Sequence, residues 1–452
     1  MTPRIFLLLS ALSLQVLSCD DFVNVDVPRT ELVNSAVFSD ELTAEAAVVD
    51  LYRAVKDGFG SGSRTSISGL ASLSSDELSF FGTNVVSQYE QFNKNTLTST
   101  NIFIDALWSD LYNTVYKANA ILEGLSSSDL AADIKGRLAG EAKFVRAFCY
   151  FYLVNLWGDV PLVTSTDYRI NGRIERTPSQ EVYGLIVSDL LESIELLPDG
   201  YEHSGNERVR ANKGAARAFL ARVYLFLRKW SEAESQSTQV IEDPMYEMES
   251  DLSLVFRATS HEAILQLWSF QYPSDRATFS VGRSGPGLGS LTADFLDGIS
   301  EDDQRWITWG QEREVNGVLY YGVLKYFDFS IPPLDYTTLL RLSEQYLIRA
   351  EARAQQNLLI EAANDLNIIR ARAGLPNTLA SSQQELLDSL LNERRYELFT
   401  EWGHRWFDLK RTGRAEAVLG ATKEEWNTED VLYPIPESQI INNDKIVQNP
   451  GY

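Results

Sequence analysis

The chain has 452 residues, of which 44% are hydrophobic and 11% are aromatic, and it carries a formal net charge of −23. This apolar content is enough for a substantial core, so the composition excludes a disordered chain and predicts one large domain or two closely joined ones. The acidic balance repels nucleic-acid duplexes and anionic lipid surfaces, which argues against nucleic acid as a partner.

The first residues predict a signal peptide. Arg4 precedes an apolar run over residues 5–17, which is too short to span a bilayer and has the length of a signal-peptide core. The run leads into "VLSC", which resembles the lipobox of bacterial lipoproteins, where cleavage before the cysteine leaves its sulfur to carry lipid. We expect residues 1–18 to be removed and Cys19 to be the lipidation site and membrane anchor. Ordinary secretory cleavage near Ser18 is the alternative.

The segment after the anchor predicts a tether followed by a helical part. Residues 19–40 include Pro28 and show no helical period, so they predict an extended, lipidated tether. From there to residue 245, apolar residues recur at spacings of three and four, which predicts an N-terminal helical part. Residues 77–100 interrupt it with aromatics and amides that follow no period, and we expect an exposed excursion there. Cys149 lies in "FVRAFCYFYLV" and is expected to be a buried thiol.

An internal repeat is visible in the helical pattern. The segments "RVYLFLRKWSEAESQSTQVI" and "EARAQQNLLIEAANDLNII" align with Ala221 on Ala350, Trp230 on Leu359, Ala233 on Ala362 and Val240 on Ile369. Two antiparallel helices with small residues at their contact are the physical content of a tetratricopeptide unit. Because two units are too few for a stable stack, other helix pairs must complete it.

The C-terminal part, residues 246–452, begins with an interruption of the helical rhythm. Residues 246–336 contain "EAILQLWSFQY", which has strand character, a glycine-rich loop and an aromatic run that ends at Pro332 and Pro333. The pattern predicts an irregular, partly β insert on a mainly α-helical body. Inserts of this kind usually carry binding rather than stability.

Residue patterns for catalytic and metal sites give little support for an enzyme. The three histidines, His203, His261 and His404, share no helical i, i+4 spacing, and no phosphate-binding loop, nucleotide fingerprint or EF-hand is present. We therefore expect no metal, no cofactor and no catalytic residues. Paired carboxylates would suffice for glycoside hydrolysis, but with 63 acidic residues such a pair arises by chance.

One segment, "NERRYELFTEWGHRWFDLKR" over residues 392–411, concentrates charges and rings. We interpret it as a helix that breaks at Gly403 and restarts, with rings facing the body and ionic side chains serving the backbone groups at the helix ends. Glu393, Arg394, Glu397, Arg405 and Asp408 are the ionic residues expected near this break. This interpretation makes the segment a structural closure rather than an active site.

The same segment resembles the signature of the SusD/RagB family, which comprises outer-membrane lipoproteins of Bacteroidota. Further matches are "ANAIL", "AKFVRAFCYFYLVNLWGDVPLV", "RLSEQYLIRAEA" and "LYPIPESQIINNDKIVQNPGY", in the family's order. The resemblance implies a non-catalytic nutrient-binding protein at the cell surface, anchored by lipid in the outer membrane. It also implies a SusD-like α-α superhelix with four tetratricopeptide-like helix pairs. The implied partner is a SusC-like TonB-dependent transporter, over which the protein acts as a lid.

The resemblance favours an oligosaccharide or polysaccharide ligand, bound by aromatic rings and polar side chains of the two irregular regions. The ligand-binding candidates are Phe80, Phe81, Asn84, Gln88, Tyr89, Tyr272, Arg276, Trp306, Trp309, Tyr320 and Tyr321. We expect at least one ring from each region to face a shared groove. The alternatives are a peptide-capturing lid, a lipid-anchored glycoside hydrolase and a tetratricopeptide scaffold that binds only protein.

Overall fold

Long helices form the body of the protein. The computed structural model describes residues 36–60, 65–82, 88–270 and 275–452. Cys19, the signal peptide and the tether up to residue 35 lie outside the described residues, so the predictions made for them are not tested by the fold. No helix in the described ranges has the length and apolarity needed to cross a membrane.

The N-terminal half is helical apart from three short strands. Its helices are α1 (Glu41–Gly58), α2 (Ile67–Ser74), α3 (Gln88–Lys94), α4 (Ile102–Ser126), α5 (Ala132–Trp157), α6 (Tyr168–Asn171), α7 (Ser179–Leu196), α8 (Lys213–Phe226) and α9 (Trp230–Ile241). Its strands are β1 (Leu78–Phe80), β2 (Val160–Pro161) and β3 (Arg176–Thr177), and β2 pairs with β3.

Local sequence explains where these helices begin and which face they bury. The Asp40 side chain caps α1 by accepting from the backbone N–H groups of Leu42 and Thr43. Helix α5 is buried over most of its length from Leu138 to Trp157, so it forms the centre of the core, against which α4 and α7 pack. Cys149 is fully buried on α5, as expected, and burial raises the pKa of its thiol.

The internal repeat is confirmed at the residue level. Helices α8 and α9 form the first unit, and α13 (Leu342–Gln355) and α14 (Leu359–Arg372) form the second. The second helices of the units begin at the aligned residues Trp230 and Leu359. The aligned alanines and the aligned pair Val240 and Ile369 are all buried between helices, so small residues do bring the axes together.

The insert is irregular and partly β, as expected. It contains β4 (Ala263–Leu267), α10 (Asp275–Phe279), β5 (Val281–Gly282), β6 (Gly285–Pro286), β7 (Gly289–Leu291), α11 (Ala293–Gly298), α12 (Gln304–Trp309), β8 (Gly310–Val315) and β9 (Val318–Val323). Strand β5 pairs with β6 and β8 with β9, both antiparallel. Strand β4 pairs with β10 (Thr337–Arg341), which leads directly into α13 and so attaches the insert to the second repeat.

The chain then closes through four helices. These are α15 (Gln383–Glu397), α16 (His404–Arg411), α17 (Ala415–Thr422) and α18 (Glu437–Asn442). The expected break is present: α15 ends at Glu397, and Gly403 lies in the left-handed region with a φ of 73° before α16 begins. Only a residue that tolerates this backbone conformation can redirect the chain so sharply.

The charged residues near the break are buried and paired. Seven of them form what we call the closing cluster: Glu262, Arg305, Lys325, Arg341, Arg372, Glu397 and Glu401. At its centre Arg341 lies 3.0 Å from Glu262 and 2.8 Å from Glu401 and also pairs with Glu397. Burial opposes the negative charge of Glu397, but Arg372, Arg341 and Arg305 outweigh it and hold the pKa of that carboxyl well below its usual range.

Candidate functional site

The two irregular regions are joined by a strand pair. Strand β1 of the excursion runs antiparallel to β7 of the insert, with Phe80 opposite Gly289. Just beyond, the Phe81 N–H donates to the Leu288 carbonyl at 3.0 Å. Residues that lie more than 200 positions apart in sequence therefore share one surface. Two of the predicted site residues, Asn84 and Tyr272, lie outside the described residues.

One ring from each region meets across this joint. The rings of Phe81 and Tyr320 are 5.2 Å apart between centroids and lie edge to face, and both side chains are half-buried. Tyr320 is carried by the β8–β9 hairpin, whose Asn316–Gly317 turn has positive φ at both residues, as a tight hairpin requires. This contact has the arrangement that the shared-groove hypothesis needs, whereas ligand contact itself stays a prediction.

The residue next to Tyr320 on the hairpin faces the body of the protein. Because successive strand residues face opposite sides, Tyr321 points away from Tyr320 and packs against Trp306, with ring centroids 6.3 Å apart. The Tyr321 backbone is fixed by the Ser290 hydroxyl, which accepts from its N–H at 2.9 Å and lies 3.2 Å from its carbonyl. Tyr321 and Trp306 are half-buried and support the hairpin from below.

The excursion residues mostly serve the fold around α3. The Tyr89 ring stacks on Phe103 at 4.3 Å and contacts Phe80 at 5.9 Å. The Gln88 side chain accepts from the N–H of Ile102 at 3.1 Å, and its backbone carbonyl accepts from Asn101 at 3.0 Å. Each of these three candidate residues therefore has a structural role at the start of α4, although each remains partly exposed.

Trp309, one of the ligand-binding candidates, is buried rather than exposed at the surface. Its side chain is only 1% exposed, its indole N–H donates to the Leu252 carbonyl at 3.0 Å, and the Lys325 ammonium lies 4.9 Å from its ring. A ring so enclosed cannot present a face to a ligand on the surface of this structure. The reason is position, since α12 and β8 meet at Trp309 and turn it into the core.

A second aromatic surface, which the sequence analysis did not single out, lies at the edge of the β4–β10 pair. We call it the rim surface, and it consists of Trp268, Phe270, Arg276 and Phe329. Trp268 is 53% exposed, Phe270 63% and Phe329 61%. Trp268 and Phe270 follow β4, and Phe329 belongs to the loop that precedes β10. Single exposed rings are ordinary, but three on adjoining segments are typical of a binding surface.

Arg276 gives the rim surface a polar partner. Its guanidinium carbon lies 3.4 Å from the centroid of the Phe329 ring, which is a close cation–π contact. The Trp268 side chain lies beside the buried Tyr336. Arg276 is a candidate from sequence, whereas the three rings are not among the candidates. Trp268 and Phe270 belong to "EAILQLWSFQY", whose pattern predicts a strand, and Phe329 belongs to the aromatic run that ends at Pro332 and Pro333. The usable signal was the aromatic run that continues past the strand's end.

The exposed rings and the guanidinium of these surfaces can bind a ligand by stacking and hydrogen bonding. Within the described ranges, no group of three or more His, Cys, Asp or Glu residues is placed to hold a metal ion. Flat apolar rings beside a guanidinium can stack on apolar C–H faces while the cation bonds to hydroxyl or carboxylate oxygens. Such a surface suits a ligand that alternates apolar faces with polar groups.

Comparison with known proteins gives consistent results. Residues 39–225 match the sequence model of a family described as "Starch-binding associating with outer membrane", and residues 334–452 match that of the SusD family. Together the two matches cover more than half of the chain. Among curated proteins, SusD-like protein P25 of Formosa agariphila is 24% identical over 96% of this chain and 97% of its own.

Solved structures share the fold over nearly the whole length. A SusD-like protein from Bacteroides fragilis has a TM-score of 0.81 at 22% identity, covering 94% of this chain and 100% of that one. A structure described as a laminarin-binding SusD-like protein has a TM-score of 0.79 at 25% identity, covering 92% of this chain and 100% of that one. The mainly α-helical architecture is thus shared with proteins of this superfamily.

Proposed function

Because the chain belongs to the SusD family, we propose that it is a glycan-binding lipoprotein of the cell surface. In this proposal Cys19 carries the lipid that anchors the protein to the outer membrane, facing the exterior. The protein acts as the lid of a SusC-like TonB-dependent transporter, capturing an oligosaccharide and closing over the barrel. One family model is named for starch binding and outer-membrane association, and one structural neighbour is named for laminarin binding.

The observation that carries the proposal is the rim surface. Three aromatic residues that are each more than half exposed lie on the two segments at one end of the β4–β10 pair, and one of them, Phe329, contacts Arg276. Pyranose rings have apolar C–H faces that stack on aromatic rings, and their hydroxyls accept from guanidinium groups. The hairpin pair Phe81 and Tyr320 offers a second aromatic contact made by both irregular regions.

Moderate affinity is sufficient for this role. A lid must load the transporter and also release its ligand, so a dissociation constant between about 1 mM and 1 μM is adequate, which corresponds to about 4–8 kcal/mol. Two stacked rings and a few hydrogen bonds supply free energy of this size once ordering of the ligand is subtracted. No deep pocket is required.

The ligand class is tested by screening the protein without its signal peptide. Affinity electrophoresis against neutral and acidic polysaccharides is run beside a pull-down with a random peptide pool, and hits are measured by isothermal titration calorimetry. We expect retardation by at least one polysaccharide and no peptide capture at the rim surface. Peptide capture abolished by Trp268→Ala would instead assign the site to a peptide-capturing lid.

The site is tested with ring removals on the identified glycan. Trp268→Ala and Tyr320→Ala should each weaken binding about 5- to 10-fold, since loss of a stacked ring removes about 1 kcal/mol or more. Tyr168→Ala is the matched control, because Tyr168 is 80% exposed on α6, outside both irregular regions. Unchanged affinity in both ring variants would remove these surfaces from the proposal.

A further inference from the structure

A cleft between the first repeat and α15 has no role in the function proposed above. It has a volume of about 250 Å³ and shares no residue with the rim surface. Phe226 at the end of α8 and Trp230 at the start of α9 form one wall, and Leu387 and Leu391 of α15 form the other. The apolar side chains of both walls are only half-buried, so the cleft is open to a side chain from outside.

The turn of the first repeat differs in sequence from the turn of the second, and the difference lies at this cleft. The turn of the first repeat reads Arg228-Lys229-Trp230, whereas the aligned turn of the second reads Asn357-Leu358-Leu359. Both turns place their first residue in the left-handed region, with φ values of 58° at Arg228 and 63° at Asn357. Asparagine tolerates this conformation well, but an arginine there is strained. The fold alone therefore favours asparagine at position 228.

The arginine's own contacts do not account for the strain. The Arg228 side chain is exposed, and its guanidinium donates to the Arg411 carbonyl at 3.3 Å, a long hydrogen bond at the surface. A contact of this kind contributes little stability, so it does not offset a left-handed arginine. Arg228 is also one of the residues that line the cleft, as is Trp230.

The cleft presents a cation although the protein as a whole is acidic. Its described lining includes three arginines and one glutamate, in a chain whose net charge is −23. The floor is neutralised, because Arg411 pairs with Glu351 at 2.7 Å and with Asp408 at 2.8 Å. Arg414 pairs with Asp388 at the protein surface. Arg228 thus supplies the cationic group that faces an incoming ligand, and Lys229 beside it adds to the positive potential.

We propose that this cleft binds an acidic peptide segment of a protein partner. An aliphatic or aromatic side chain of that segment enters between Phe226, Trp230 and Leu387, and a neighbouring carboxylate pairs with Arg228. Gln355 and Gln384, which also line the cleft, offer side-chain amides to the backbone of the segment. Tryptophan and arginine are the residues that most often dominate protein interfaces, and the charge of the cleft complements that of the segment.

The test uses the full protein and a randomised heptapeptide library displayed on phage. Selection on the native protein is compared with selection on the double variant Arg228→Asn, Trp230→Leu, which carries the second repeat's own residues and is therefore expected to fold. We expect the native protein alone to enrich peptides that carry Asp or Glu within two positions of a large apolar residue. Identical enrichment on both proteins, or enriched peptides without acidic residues, overturns the proposal.

Single substitutions then separate charge from packing. An enriched peptide, labelled with a fluorophore, is titrated by fluorescence anisotropy. We expect a loss of at least 5-fold for Arg228→Asn that disappears at 1 M salt, and a similar loss for Trp230→Leu that persists in salt. Arg169→Asn is the matched control, an exposed arginine on α6. Unchanged affinity in both cleft variants refutes the site, whereas glycan binding is expected to be unaffected in either case.

Discussion

The closing cluster and the rim surface are opposites in the same molecule. The closing cluster gathers seven ionisable side chains, all of them nearly excluded from solvent, and each has a partner of opposite charge. The rim surface has three apolar rings and one cation, and its rings are more exposed than most large apolar side chains. The densest group of charges is therefore structural here, whereas the exposed rings are the surface to which we assign ligand binding in our proposal.

The physical reason is that a buried charge must be paired, whereas an exposed ring is not needed for folding. Taking a charge out of water is unfavourable by several kcal/mol unless a partner replaces the lost solvation, so buried ionic residues select one another and fix one geometry. An exposed ring contributes almost nothing to folding. Substitutions in the closing cluster should therefore lower the free energy of unfolding strongly, whereas substitutions of the rim rings should hardly change it.

The largest expected effect follows removal of the central cation of the closing cluster. Arg341→Met leaves Glu262, Glu397 and Glu401 without their shared partner, and breaking a buried pair from one side destabilises by about 3–5 kcal/mol. Arg53→Met is the matched control, because Arg53 pairs with Asp57 at the surface, where such pairs contribute below about 1 kcal/mol. Urea unfolding followed by circular dichroism measures both. Equal losses in the two variants would contradict a structural role for the cluster.

The next effect separates backbone conformation from packing at the break. Gly403 and Gly413 have nearly the same φ, 73° and 70°. A Cβ at Gly403 would lie 2.8 Å from the Cβ of Ala71 and 2.9 Å from the Phe407 ring, whereas one at Gly413 meets no described atom within 4 Å. We expect Gly413→Ala to destabilise by about 1 kcal/mol and Gly403→Ala by about 3 kcal/mol. Similar values would show that packing at the break is loose.

An effect of similar size, but dependent on pH, is expected at Glu77, which joins the excursion to the closing segment. Its carboxylate accepts from the Ser72 hydroxyl at 2.8 Å and lies 3.4 Å from the Thr400 N–H. Burial, assisted by the charge of Asp76, raises the pKa of Glu77 to about 7, although the Ser72 hydrogen bond opposes the shift.

The Glu77 carboxyl holds its proton more tightly in the folded protein than in the unfolded chain. The protonated carboxyl therefore contributes its full stability below about pH 4.5. That stability is lost as the pH rises to about 7. Glu77→Gln keeps the neutral form at every pH. We therefore expect the variant to match the native protein near pH 4 and to exceed it in stability near pH 8 by about 3 kcal/mol. Unfolding free energies measured across this pH range decide it, and parallel curves for the two proteins would contradict it.

The sequence was sufficient for features that depend on local pattern. The family assignment drawn from residues 392–411 is confirmed, and so are the mainly α-helical fold, the break at Gly403 and the repeat register that aligns Trp230 with Leu359. Each of these follows from periodicity, from one glycine or from an ordered set of motifs. Each of these signals is contained in the sequence itself, so no knowledge of three-dimensional contacts is needed to interpret it.

The exposure of individual rings could not be predicted in this way. Trp309 and Trp268 both lie in aromatic stretches of the insert, yet one is 1% exposed and the other 53%. The difference is set by long-range pairing: β4 meets β10 some 70 residues later and ends just before Trp268, whereas α12 packs Trp309 under the Leu252 turn. No short window of sequence contains these contacts. The ligand-binding candidates as a set remain predictions until binding is measured.

The smallest expected effect concerns the stability of the rim surface itself. Trp268→Ala and Phe270→Ala remove rings of residues that are more than half exposed, so each should change the free energy of unfolding by less than about 0.5 kcal/mol. Trp309→Ala is the contrasting case, because emptying a fully buried indole site destabilises by about 3–5 kcal/mol. Thermal unfolding of the three variants gives the order directly. If Trp268→Ala were as damaging as Trp309→Ala, the rim rings would be part of the fold, and a loss of glycan affinity in that variant could no longer be assigned to ligand contact.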